Sequence, residues 1–248
     1  MNEELIRRAE DLLDRCDRTA SVTSTVFLTP AEQAELLAWA KYRADCRMLL
    51  RGGDGDCERK AAFFLPFYLE EDTFDESEYI RVIKAAAGFG EPGHRDYLGA
   101  AMGLGIRRDF LGDIRIFGST AWIFCLPSIE AHLLVSLEKV GRCGVKLTRA
   151  ALSDVPPLEK KVKPRTVTVQ SLRFDVIVAA LFGLSRTQAV TQIHAGLATL
   201  NYLPCLKPDA SVREGDIIAL RGHGKGTLAE IGGESRKGRI FVRVELYV

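Results

Sequence analysis

The spacing of apolar positions predicts helices at the start of the chain. Between residues 1 and about 20, Leu5, Ile6, Ala9, Leu12 and Leu13 recur at three- and four-residue intervals, with charges on the opposite side. A second helix opens where Thr29 caps, Pro30 fits the first turn and Glu32 stands three after the cap, and Leu36, Leu37 and Ala40 continue its apolar face. The run Arg51-Gly52-Gly53-Asp54-Gly55-Asp56 breaks that pattern, and the apolar stretch from Ala61 to Tyr68 predicts a strand. From Tyr79 the pattern reads strand 79–86, helix 95–104, strand 112–117, strand 120–126, helix 128–139 and strand 143–149, with Gly118-Ser119 as a two-residue hairpin turn. Residues 153–165 combine prolines with a basic run and read as a linker. Beyond it Ser171 is placed to cap a helix with Leu172, Val176, Ala179 and Ala180 as its stripe. Ser185 caps another, with Gln188 completing a capping box and Gly196 as its stop. Strands 197–201 and 217–221 follow, then a loop over 222–226.

These elements predict an α+β, multidomain chain. Its parts are a mostly helical N-terminal subdomain (1–75), an RRM-like middle domain (76–152), a basic linker (153–165) and a small α+β domain (166–248). The middle order is that of a ferredoxin-like split β-α-β sandwich. It lacks the aromatic signature by which RRM sheets stack on bases.

Charge changes this picture. The net value of +1 conceals 14 Lys/Arg against 7 Asp/Glu in residues 160–248, and 20 against 26 in residues 1–159. A C-terminal segment at +7 beside a remainder at −6 points to a polyanion-binding module, nucleic acid before membrane. No apolar run reaches the ~20 residues of a membrane span, and the first residues are polar, so the expected location is the cytoplasm, away from membrane. Cysteines 16, 46, 57, 125, 143 and 205 and histidines 94, 132, 194 and 223 lack metal-ligand spacing, so reduced thiols, no metal and no cofactor are expected.

A capped helix start presents free amides and a positive dipole end to a phosphate, and Arg186 adds a forked cation there, beside Ser185, Thr187 and Gln188. Arg173, Lys207, Arg221, Lys225, Arg236, Lys237 and Arg239 extend the basic surface, and Tyr202 or His223 is available to stack on a base.

The string formed by Arg173-Phe174-Asp175, Ser185 to Ala189, Gly196, Asn201, Gly215-Asp216 and Arg221-Gly222 resembles the S4 RNA-binding domain. Tyr202 stands where S4 domains commonly carry glycine. Upstream, Leu28 to Gln33, Glu58-Arg59-Lys60 and His94 to Arg108 resemble the YlmH family, and the likeness runs over essentially the whole chain. That resemblance implies a C-terminal S4 domain behind an RRM-like one. It also implies partners among rRNA or tRNA on the large ribosomal subunit, particularly subunits stalled with peptidyl-tRNA, and in some bacteria a cell-division protein.

Catalytic strings point the other way. His94-Arg95-Asp96 occurs without the other parts of a kinase catalytic loop and is expected to cap a helix; Gly222 to Thr227 is no Walker loop, because Gly follows Lys225. The signatures of pseudouridine synthases, methyltransferases and tRNA synthetases are absent as well, so a non-enzymatic protein is expected.

Overall fold

The structure, a computed structural model, describes residues 2–43, 45–158, 162–235 and 238–247. The chain forms two compact units, Met1–Leu158 and Glu159–Val248.

In the first unit α1 (Glu3–Thr19) starts at Asn2, whose side chain accepts from the Leu5 amide, and buries Leu5, Ala9, Leu12, Leu13 and Cys16 along one stripe. After β1 (Thr23–Ser24), α2 (Pro30–Ala40) has the full capping box of Thr29 and Glu32. Its buried line is Gln33 and Leu36, whereas Leu37, expected on the apolar face, is 52% exposed. One residue turns the helix by about 100°, so the two leucines cannot share so narrow a face. β2 (Met48–Arg51) and β3 (Ala61–Phe64) complete a sheet ordered β1-β3-β2. Every residue of β3 is buried because alternate side chains enter different cores: Ala62 and Phe64 join Leu5 and Leu13 of α1, while Ala61 and Phe63 face the other way. The strand ends at Phe64, short of the expected Tyr68, because Pro66 has no amide to donate; Phe67 and Tyr68 are exposed.

The same unit continues through β4 (Arg81–Ala87), α3 (His94–Gly103), β5 (Leu111–Phe117), β6 (Thr120–Cys125), α4 (Pro127–Ser136), β7 (Lys139–Val140) and β8 (Cys143–Ala150). Their sheet is antiparallel in the order β5-β6-β4-β8-β7. The β5–β6 turn puts Gly118 at φ +59, a conformation that favours glycine. α3 and α4 cover one face through Tyr97, Ala101 and Leu133 against Ile83, Ala85 and Ile123. On the opposite face Val82, Trp122 and Phe124 share a core with Phe27, Ala61 and Phe63. Where the sequence reading separated 1–75 from 76–152, that core joins them. It also covers part of the helix-free sheet face, leaving Lys84, Lys146 and Thr148 exposed on it.

In the second unit β9 (Val162–Val169), α5 (Phe174–Phe182), α6 (Arg186–His194), β10 (Ala198–Leu200), β11 (Leu203–Pro204), β12 (Ile217–Leu220), β13 (Gly224–Glu234) and β14 (Ile240–Tyr247) build a sheet ordered β11-β10-β12-β13-β14-β9. Residues 162–165, expected in the linker, pair with 244–247 at the sheet edge, where the missing amide of Pro164 is tolerated. Residues 224–226, expected in a loop, begin β13.

Ser171 does not cap α5. The helix starts three residues later, and its leading amides donate to the chain that crosses its end, Phe174 to the Ala210 carbonyl at 2.8 Å and Asp175 to that of Pro208 at 2.9 Å. Its buried stripe is accordingly Phe174, Ile177, Val178 and Leu181. Leu172, Val176, Ala179 and Ala180 are half-buried around that core. Among the described residues no single helix is long and apolar enough to cross a membrane.

Candidate nucleic-acid interface

The turn between α5 and α6 concentrates the candidate residues. Ser185 Oγ accepts from the Gln188 amide at 3.2 Å, and Gln188 Oε1 accepts from the Ser185 amide at 2.9 Å. Both side chains are thereby committed to the helix end rather than left for a ligand. The Arg186 and Thr187 amides make no hydrogen bond among the described residues, and they stand at the positive end of the helix dipole.

The arginines at this end are held by an acid buried beneath them. Asp175 is 1% exposed; its Oδ1 accepts from Arg173 Nε at 3.1 Å and its Oδ2 from Arg186 Nε at 2.8 Å. Burial opposes the charged carboxyl, but the hydrogen bonds and charges of Arg173 and Arg186 outweigh it and hold the group below the usual carboxylate range. Two guanidiniums are therefore fixed in orientation yet remain 42% and 56% exposed, so their other donors can meet solvent or an anion. Arg173, Asp175, Arg186, Thr187 and Pro208 line one shallow depression. Arg186 also borders a second, with Arg165 and Arg239, where Arg239 Nη2 donates to the Thr168 carbonyl at 2.6 Å.

The aromatic candidates form other groups. Tyr202 lies in the β10–β11 hairpin, where Asn201 and Tyr202 hold φ of +50 and +68 without glycine. Asn201 supports that turn by donating to Asp216 at 2.8 Å and accepting from the Ile217 amide at 3.0 Å. The Lys225 ammonium sits over the Tyr202 ring at 5.8 Å and over Tyr247 at 5.1 Å. His223 meets Phe182 edge-on, 6.2 Å between ring centres. Lys207 and Arg221 are exposed and line neither depression. Arg236 and Lys237 lie outside the described residues.

The sequence reading omitted Asp175 and Arg165 as site residues. An acid inside the apolar run Phe174 to Val178, two residues after an arginine, is a signal for the first; the alternation Thr166-Val167-Thr168-Val169, marking a strand, is one for the second.

Fold and site together define a mixed α/β protein whose basic second unit displays arginines at a capped helix start. Residues 74–154 match the family described as "Putative RNA-binding domain in YlmH". The protein named "Ribosome-associated protein quality control protein P2" of Bacillus subtilis (strain 168) is 32% identical over 222 residues, 89% of this chain and 86% of that protein. The solved structure titled "Cell division protein ylmH from Streptococcus pneumoniae" aligns at a TM-score of 0.49 and 17% identity, over 62% of this chain and 93% of that one. The chain belongs to the YlmH family.

Proposed function

We propose that this is a non-catalytic RNA-binding protein that acts on the ribosome, engaging rRNA or tRNA of the large subunit in the handling of stalled peptidyl-tRNA. In this reading the second unit is an S4-like domain and β4 to β8 an RRM-like one. The observation that carries it is the pair Arg173 and Arg186, oriented by one buried carboxylate beside the open amides of α6. That is a preformed phosphate receptor on a segment, residues 160–248, of charge +7. The name of the Bacillus relative and the description of the matched family support RNA and the ribosome as partners.

The test is co-sedimentation with ribosomal subunits across a salt series, wild type against Arg186→Glu. Wild type is expected to pellet with large subunits and to lose affinity steeply with salt, as a protein with several phosphate contacts does. The variant is expected to be lost from the pellet at salt concentrations wild type withstands. If wild type fails to pellet at low salt, the ribosomal assignment falls.

A further inference from the structure

A second group of cations lies in the first unit, drawn from separate stretches of sequence. Arg59 precedes β3, His94 opens α3 and Arg108 precedes β5; with Glu58, Asp113 and Arg115 they line one depression. The guanidiniums of Arg59 and Arg108 are anchored by part of their donors only. Arg59 Nη2 donates to the Phe27 carbonyl at 2.8 Å, and Arg108 Nη1 to those of Leu111 at 2.7 Å and Gly112 at 3.1 Å. The buried Nε atoms of Arg59 and Arg115 have no partner, and Arg115 is only 4% exposed. His94 is exposed and its side chain makes no hydrogen bond among the described residues.

Asp113 lies among them, its oxygens accepting from the amides of Glu58 at 2.8 Å and Arg59 at 3.0 Å, and its negative charge favours the charged forms of Arg59, Arg108 and Arg115. Arg115 is forked onto Asp54. Arg108 is held below the ordinary arginine value first by burial and then by the positive charge of Arg59, which together outweigh the opposing charge of Asp113. Like charges kept close, partly desolvated and with unfilled donors, are stabilised by an oxyanion bridging them, and the positive end of α3 adds to the attraction.

We propose that this depression is a phosphoryl-binding site, in which Arg59 and Arg108 grip the oxygens, His94 adds a third donor, and the phosphate is one of the RNA backbone. Only the source of the phosphate rests on the function proposed above. Because the N-terminal sheet covers part of the sheet face that an RRM would use, this depression gives the first unit a different place to hold RNA.

The experiment uses the whole chain. The imidazole resonances of His94 are followed by NMR during titration with inorganic phosphate and, separately, with a short single-stranded oligoribonucleotide. Oligoribonucleotide affinity is then measured across salt for wild type, His94→Glu and Arg186→Glu. His94→Glu breaks no hydrogen bond and puts a carboxylate in the first turn of α3, where the dipole favours it, so folding is retained and checked by the melting temperature. The expected result is a His94 shift with the oligoribonucleotide, about tenfold weaker binding by His94→Glu at low salt, and a salt slope shallower by about one phosphate contact. A shift with inorganic phosphate alone, with RNA affinity unchanged in His94→Glu, keeps the phosphoryl chemistry and overturns RNA as its source. No shift with either probe overturns the site, even if Arg186→Glu still abolishes RNA binding and the ribosomal reading stands.

Discussion

Asp175 shows how one buried side chain orients two guanidiniums at the surface. Its two oxygens hold Arg173 and Arg186 at the start of α6, and the helix core closes beneath it. Asp175→Asn removes the charge but keeps the shape, and is expected to lower stability by about 1–3 kcal/mol, the range for hydrogen bonds to charged groups discounted for the exposed partners. RNA affinity falls with it, because the guanidiniums lose their orientation. The pH dependence has a definite sign. A carboxyl whose folded pKa is depressed contributes fully above its unfolded value of about 3.9 and loses that contribution as pH falls through the folded one. Acid unfolding of Asp175→Asn, followed by circular dichroism, is therefore expected to be less steep below about pH 4 than that of wild type. An unchanged acid limb would mean the pair contributes nothing net.

At the scale of elements, the sequence placed helix starts well where the cap is local and poorly where it is not. Thr29 with Glu32 and Ser185 with Gln188 close their boxes as their spacing indicates. Ser185→Ala is expected to cost about 1 kcal/mol in urea unfolding, while Ser171→Ala, which removes no cap, stays near wild type. The start of α5 was illegible locally because its amides are satisfied by carbonyls more than thirty residues away, those of Pro208 and Ala210. β13 is illegible past residue 226 because glycines and charges interrupt its alternation, whereas β14, with Val242, Val244 and Leu246 alternating with Arg243 and Glu245, carries a strand signal that the sequence reading left unassigned. Gly226 is the tightest point of the pairing between these two strands. A Cβ there would lie 2.6 Å from the Glu245 carbonyl oxygen and 2.9 Å from Leu181, so Gly226→Ala is expected to destabilise by about 2 kcal/mol or more, read as a lower melting temperature.

At the scale of the molecule, the division into Met1–Leu158 and Glu159–Val248 predicts how function separates. Residues 162–248, expressed alone, are expected to fold and to keep the Arg186-dependent part of RNA binding. The salt slope should fall by whatever the first unit contributes. If the fragment folds and binds RNA no better than the Arg186→Glu full-length variant, the second unit is not the principal binder.

The sequence by itself determined the local periodicities, the two capping boxes, the strand and helix order of residues 79–150 except for the short β7, whose Lys139 falls at the expected end of the helix, and the charge asymmetry. These depend on neighbours a few residues apart. Only the tertiary structure decided that β3 is buried on both sides, that residues before and after 75 share a core, and that Arg59, His94 and Arg108 meet in one depression. Such facts arise from burial between segments distant in the chain. No local period encodes which side chains the closing core will leave beside one another.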